Sequence, residues 1–372
     1  MRPDIVVIGG GTVGAAIAYG LAKRRQSVLL LDGDDGDFRA AHANFGLVWL
    51  QGKGLGMPAY QALTRGSIAL WRGFCDALET EAGISLCYEQ NGGLAFCLGE
   101  EGFEKSRLDL MRLHNQRGDG EPDWDMLDRS CLERFLPNIA FGPNVSGASF
   151  GCRDGHLNPL RLLSAMHGAL VRRGGRIRRQ AHVHQLETAG SDFRLVLKGE
   201  TLVAPRIVIA AGLGSPALAR QVGLEVSVRP ERGQVLVTER LAPFLPVPAS
   251  GLRQTGEGTL MIGATKEDGG FDVSATAEAA ARLSRKTVGI IPPLASVRLV
   301  RQWVGLRIMT PDSYPIYSQS LSHPGAFVAL CHSGVTLAAF HAEALAQAIA
   351  SGALPDSFSP FHQSRFDVPQ AA

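Results

Sequence analysis

Apolar residues in this chain gather in short unbroken runs separated by glycine-bearing turns, with helix-forming stretches between some of them. In "DIVVIGGGTVGAAIAYGLAKRRQSVLLLDGD", Ile5 to Ile8 and Val28 to Leu31 are runs of the length expected of buried strands. The order is strand, glycine turn, helix, strand. "RIVIAAGLGS", Arg206 to Ser215, predicts another buried strand ending in a small-residue turn. In "FVALCHSGVTLAAFHAEALAQAI", Phe327 to Ile349, an apolar run is broken at His332 and helix formers resume from Thr336. That break predicts a strand-to-helix turn. "DGHLNPLRLLSAMHGALVRRGG", Asp154 to Gly175, predicts a loop feeding an amphipathic helix stopped by Gly174 and Gly175. "GGLAFCL" (Gly92 to Leu98) predicts a strand and "GDGEPDWD" (Gly118 to Asp125) a loop. Between Val226 and Arg307, "GQVLVTE", "GTLMIGAT" and "RLVRQWVGLR" are β-rich runs with turn signals, as in an antiparallel sheet.

Composition narrows the field without deciding it. The 372 residues, 45% hydrophobic and 19% charged, suit a globular chain of about two domains. A formal charge of +2 and the absence of a long basic run point away from nucleic acid and toward a small partner. The six cysteines are scattered, with no CxxC pair and no Cys/His cluster at zinc spacing, so reduced thiols and no metal are expected. Residues 5–22 do not read as a secretion signal, because Lys23, Arg24 and Arg25 follow the apolar stretch and glycines crowd its middle. No stretch reads as a membrane span, and a cytoplasmic protein is expected, peripheral to the inner membrane at most through its electron acceptor.

The candidate chemistry starts in the first turn. Gly9, Gly11 and Gly14 have G-x-G-x-x-G spacing, follow a strand, open a helix and are answered by Asp32 eighteen residues beyond Gly14. Glycines there let backbone approach a pyrophosphate at a helix N-terminus, and the acid accepts hydrogen bonds from a ribose diol. The turn at His332 likewise aims backbone N–H groups and the positive end of a helix dipole at something electron-rich above the sheet.

Taken in order, the N-terminal glycine motif with Asp32, "DGHLNP", "IVIAAGLGSPAL", "VRPERGQ", "IGATKEDGGFD", "WVGLRIMTPDSYPI" and "HSGVTLA" resemble the D-amino-acid oxidase / glycine oxidase family of FAD-dependent amine oxidoreductases. The stretch "HANFGLVWLQGKG", His42 to Gly54, is similar to the smaller, substrate-oxidising subunits of opine oxidases and of the cyanide-forming glycine dehydrogenase. The resemblance implies an α/β (α+β two-domain) fold: a doubly wound FAD-binding Rossmann-like domain, with an inserted, mostly antiparallel β-sheet substrate domain. The expected FAD-binding segments are 1–80, 151–222 and 305–372, and the expected substrate segments are 81–150 and 223–304. It also implies non-covalent FAD, since no cysteine stands near "TPD" where some sarcosine-oxidising relatives link theirs. Companion redox subunits in a hetero-oligomer are implied, contributing or sharing a second flavin and an iron–sulfur cluster.

Carried over residue by residue, the resemblance places the cofactor on Gly9, Gly11, Thr12, Val13, Gly14 and Asp32, on His42, Asn44, Phe45 and Gly46, and on Val183, Ala211 and Gly212. Arg307 and the turn His332, Ser333, Gly334, Val335 and Thr336 complete that set. The turn would set donors by the flavin N1/C2=O edge, where negative charge accumulates on reduction. Strand alternation puts Arg301, Trp303, Gly305 and Arg307 on one face, a cation beside an aromatic wall and a gap. Arg307 matches the family arginine that grips the substrate carboxylate, with Trp303, Gly305 and Tyr60 as further substrate contacts and His332 beside Arg307 at the reacting centre. Arg298 and Arg301 read as structural, and Lys53 as a loop charge. Two departures from the family pattern are Ile308 in place of proline and Ala41-His42-Ala43-Asn44 in place of small hydroxyl residues. The expected reaction moves hydride from the C–N carbon of an opine-like N-carboxyalkyl amino acid to flavin N5, giving an imine that water hydrolyses to an amino acid and a 2-oxo acid. Glycine, sarcosine, a D-amino acid or hydroxyproline are the alternative substrates; an NAD-dependent dehydrogenase and a non-catalytic flavoprotein subunit are the rival readings.

Overall fold

The computed structural model describes residues 2–33, 40–118 and 120–367. Its central sheet has six strands in the order Ile316–Gln319, Ala326–Leu330, Arg206–Ile209, Ile5–Ile8, Val28–Leu31, Arg176–Arg178. All neighbours pair in parallel except Ile316–Gln319, which runs antiparallel to Ala326–Leu330. Parallel strands need crossovers, and the helix Thr12–Lys23 supplies the first.

Alternation sorts the side chains of this sheet onto two faces. Ile5, Val7, Val28 and Leu30 face a layer that includes the helix Thr12–Lys23 and the C-terminal helical segment. Val6, Ile8, Leu29 and Leu31 face the other way, against Leu186, Phe193, Leu195 and Leu197 of a three-stranded antiparallel sheet, Gln185–Ala189, Asp192–Leu197 and Glu200–Ala204. These strands are therefore buried on both sides, which is why they read as continuous apolar runs.

A second body of antiparallel strands holds Leu252–Gln254, Thr259–Gly263, Arg229–Arg240 and Leu299–Met309, in that spatial order. A neighbouring three-stranded sheet joins Gly93–Leu98, Val145–Gly151 and Trp124–Asp128. Leu236, Leu252, Leu260 and Ile262 bury one face of the four-stranded sheet with Leu283, Ile290 and Leu132. The opposite face carries the candidate chemistry.

Three details differ from the sequence reading. The strand Leu299–Met309 is unbroken across the expected boundary at 304/305, because its whole length pairs with Arg229–Arg240; Arg307 therefore belongs to the antiparallel sheet. Trp124 and Asp125 lie in a strand, drawn in by pairing with Gly151 and Phe150. Helix after the His332 turn begins at Ala338, since Ser333 to Leu337 close turns first, and it passes through a π segment, His341–Leu345. Gly20 packs so close to that segment that a Cβ there would stand 2.0 Å from the Ala342 carbonyl oxygen.

Candidate active site

The glycine turn is built by close backbone approach. Gly9 has φ of 111°, and a Cβ on it would stand 2.3 Å from the Ala210 carbonyl oxygen; a Cβ on Gly14 would stand 1.9 Å from the Gly9 carbonyl oxygen. Gly11, the N-cap of the helix Thr12–Lys23, is different: among the described residues only Ala41 Cβ, at 3.9 Å, comes near its Cβ position, and no side chain of theirs caps the helix. An open cradle above uncapped N–H groups fits a pyrophosphate. Asp32, 6% exposed, sits at the end of the strand Val28–Leu31 and accepts from Gly10 N at 3.3 Å. Gly33 lies beside His182, and Val183 is buried next to it. Ala211 and Gly212 follow the strand Arg206–Ile209, with Ile308 Cγ1 3.4 Å from the Gly212 Cβ position. Together these residues lie along the C-terminal ends of the parallel strands, the place where doubly wound sheets bind dinucleotides.

The segment 42–46 lies across the face of the four-stranded sheet. Ala43 covers Gly305, whose Cβ would be 2.3 Å from Ala43 Cβ, and Trp303 Nε1 donates to the Ala43 carbonyl at 3.3 Å. The gap expected above Gly305 is therefore filled by the protein's own loop, and the Trp303 N–H is spent on holding it. Phe45 lies against Gly263, and Asn44 Oδ1 accepts from Gly46 N at 2.8 Å, closing the turn. His42 is exposed.

Arg307 projects over Gly233, whose Cβ position is 3.0 Å from the guanidinium carbon. Its Nη1 donates to Glu231 Oε1 and to the Thr265 carbonyl, both at 3.0 Å. Burial lowers its pKa, opposed by Glu231. Among the described residues Nε and Nη2 have no partner, so one edge of the fork stays open.

Around His332 the turn is more heavily bonded than the sequence foretold. Ser333 Oγ receives Lys53 Nζ at 2.9 Å and Tyr60 OH at 3.0 Å, with His332 Nε2 at 3.5 Å. Tyr60, expected against substrate, is only 2% exposed and packs on Tyr314; its hydroxyl positions Ser333 instead. Thr336 Oγ1 accepts from Trp49 N, and its carbonyl accepts from Ser67 and Trp71. Gly334 meets Val13 and Thr12, and Val335 is 3% exposed, so the turn abuts the start of the first helix. Burial first, then the charges of Lys53, Arg307 and Lys266, lowers His332 to about 3. It is a neutral imidazole at physiological pH.

Sequence reading missed Asp154 and Glu231, and took Lys53 for no more than a loop charge. Lys53 is lowered to about 8 by burial. Asp154, fully buried and raised to about 7 by burial, accepts from Leu50 N, Gln51 N and Gln51 Nε2, and so shapes the segment that carries Lys53. For Lys53 and Asp154 the only available signal was their place within "GLVWLQGKG" and "DGHLNP".

Comparison with known proteins shows the family. Residues 4–348 match the family described as DAO, FAD dependent oxidoreductase. The chain is 41% identical over 371 residues to a subunit of the opine oxidase of Agrobacterium tumefaciens (strain Ach5), covering 99% of both chains. It is 28% identical over 412 residues to hydrogen cyanide synthase subunit HcnC of Pseudomonas protegens, covering 98% of this chain and 96% of that one. The crystal structure of glycine oxidase from Geobacillus kaustophilus superposes with a TM-score of 0.88 at 27% identity, covering 98% of this chain and 99% of the other. The chain belongs to the DAO family of FAD-dependent oxidoreductases, and it is an FAD-dependent enzyme acting on amines.

Proposed function

We propose that this chain oxidises the secondary amine of an opine, an N-carboxyalkyl amino acid, and does so as one subunit of a hetero-oligomer with companion redox chains. The observation that carries the substrate reading is Arg307, a partly buried guanidinium with one edge tied to Glu231 and Thr265 and the other open beside the loop 42–46. The likeness to proteins named as opine oxidase and hydrogen cyanide synthase subunits supports both parts.

The residues fit FAD: the Gly9 to Gly14 turn for its pyrophosphate, Asp32 for its ribose, and residues 42–46 and 332–336 for its ring. When bound, FAD supplies the acceptor for two electrons leaving a carbon–nitrogen bond. Arg307 holds a substrate carboxylate and fixes the carbon that loses its hydrogen. The charges of Lys53, Lys266 and Arg307 all act on His332, and such a cationic field favours the neutral form of an entering amine, whose lone pair assists the oxidation. His332 stays uncharged and adds no further repulsion. The amine loses two electrons and two protons overall, and water adds across the resulting C=N bond to release an amino acid and a 2-oxo acid.

The test is anaerobic mixing of holoprotein with N-(1-carboxyethyl) amino acids, glycine, sarcosine and D-alanine, following flavin absorbance near about 450 nm. Opines should bleach it fastest, with one 2-oxo acid per flavin. Arg307→Leu combined with Glu231→Gln, which leaves no carboxylate unpaired, should raise KM about 10–100-fold at unchanged flavin content, the loss expected for a charged hydrogen-bond pair. Bleaching by glycine but by no opine would move the substrate to simple amino acids, and an unchanged KM would end the role given to Arg307.

A further inference from the structure

Ser333 Oγ is shared by three groups. Lys53 Nζ donates to it at 2.9 Å and Tyr60 OH at 3.0 Å, which occupies both of its lone pairs. Its own proton is therefore directed elsewhere, and the neutral ring of His332, with Nε2 at 3.5 Å, is the acceptor in reach among the described residues. Lys53, Ser333 and His332 form one polar line through the turn. Lys53 also lines a cavity of about 40 Å³, room for about three waters, together with Gln51, Asp123 and Asp154. The cavity walls run from Asp154, fully buried, to Gly52 and Arg153, both exposed. Among the described residues that line it, only Lys53 bonds the turn 332–336.

The groups around Lys53 are suited to different tasks. Cys331, Lys266 and Asp154 act on it by charge, and Tyr60 and His332 share its serine. Burial raises Cys331 and Tyr60 to about 12 and lowers His332 to about 3, so these three keep their protonation state around neutrality. Asp154, raised to about 7, has both oxygens committed to the segment 50–51. Across the cavity, Arg65, Arg117 and Arg153 converge on the Asp123 carboxylate, and His114 lies beside Arg117. Lys53, lowered to about 8 chiefly by burial, is the group that bonds the turn and also gains and loses a proton close to neutral pH.

We propose that Lys53 is the proton exit of the site: through Ser333 it takes the proton that a substrate ammonium sheds, and it passes that proton to water in the cavity. This rests on the reading that sets the turn 332–336 at the flavin ring, and not on which amine is oxidised. In its neutral form Lys53 accepts from Ser333 instead of donating to it, which frees a Ser333 lone pair for the incoming ammonium. The substrate N–H bond breaks and its proton goes to Ser333 Oγ, while the Ser333 hydroxyl proton moves to the Lys53 amine. The resulting Lys53 ammonium releases a proton to cavity water, and both side chains return to their starting forms. The amine keeps the electron pair that its oxidation needs. Lys53 acts through Ser333, as a positioning and proton-exchange residue.

The experiment mixes holoprotein anaerobically with whichever amine of the substrate screen bleaches it fastest, following flavin absorbance together with a pH-indicator dye in weak buffer. In the native protein bleaching should quicken about tenfold per pH unit and level off above about pH 8, as Lys53 becomes neutral, with protons reaching the dye at the rate of bleaching. Lys53→Arg keeps the charge but gives up no proton, and Lys53→Met removes both. Each should keep its FAD, bleach about 100-fold more slowly at pH 8 and lose the levelling, which carries the test in whichever variant folds. A native rate in the arginine variant would reduce Lys53 to a fixed charge and overturn the proposal, as would a native pH profile in the methionine variant or loss of FAD from both. Ser333→Ala, read in the absorbance of the oxidised holoprotein, separates this from the reading beneath it. A shifted flavin spectrum with the native pH profile sinks the proton route alone, whereas an unshifted spectrum takes the turn away from the ring and the proposal with it.

Discussion

His332 and His341, at about 3, and His156, at about 4, are held uncharged, each chiefly by burial. A histidine whose folded pKa is depressed contributes stability that is complete above its unfolded value, about 6.5, and is lost as pH falls toward the folded one. His341 isolates the effect, since it is fully buried and bonded through Nε2 to Tyr317 OH at 2.7 Å, outside the candidate site. His341→Gln keeps a partner for Tyr317 and removes the titrating ring. Thermal unfolding measured from pH 8 to pH 4 should show a shallower decline below pH 6.5 in the variant, with Tm curves converging by several degrees at the acid end. Parallel curves would mean that this histidine is not neutral in the fold. At this scale the sequence was least informative. Lys53 read as a loop charge because the hydroxyl it meets, Ser333, is 280 positions away.

Elements were more legible where their cause is local. The strand, glycine turn, helix and strand at the N-terminus follow from residues within one βαβ unit, and the chain forms Ile5–Ile8, Thr12–Lys23 and Val28–Leu31 there. The start of the C-terminal helix depends on distant partners, so periodicity alone misplaced it, whereas the strand read from alternation in "RLVRQWVGLR" forms as Leu299–Met309. The glycine turn gives a test of the element as a unit. Gly14→Val puts side-chain atoms where the Gly9 carbonyl oxygen already lies, so strand and helix must separate; apoprotein or insoluble protein should result. Asp32→Ala leaves that packing intact and removes only an acceptor, so the protein should fold and bind FAD about 10–100-fold more weakly. Normal flavin content in both variants would remove the turn from the cofactor site.

For the whole molecule the open matter is where electrons go after substrate oxidation. The described residues contain no group of three or more histidine, cysteine, aspartate or glutamate side chains placed to hold a metal, and the cysteines are unpaired. No helix among them is long and apolar enough to cross a membrane. Electrons delivered to FAD leave for an acceptor beyond the flavin, and the proposed hetero-oligomer makes that acceptor a companion chain. Expressed alone, the protein should be reduced by its substrate at a rate close to that of the assembled enzyme, because the groups around Arg307 and the His332 turn all belong to this chain. Reoxidation in air should be slow, by about 100-fold or more relative to turnover of the co-purified complex with a dye or respiratory acceptor. Splitting the cycle this way separates the two halves of the proposal, since reduction reads the site and reoxidation reads the partner. Rapid aerobic turnover with stoichiometric hydrogen peroxide, by a preparation containing no other polypeptide, would show that the chain is a self-sufficient oxidase.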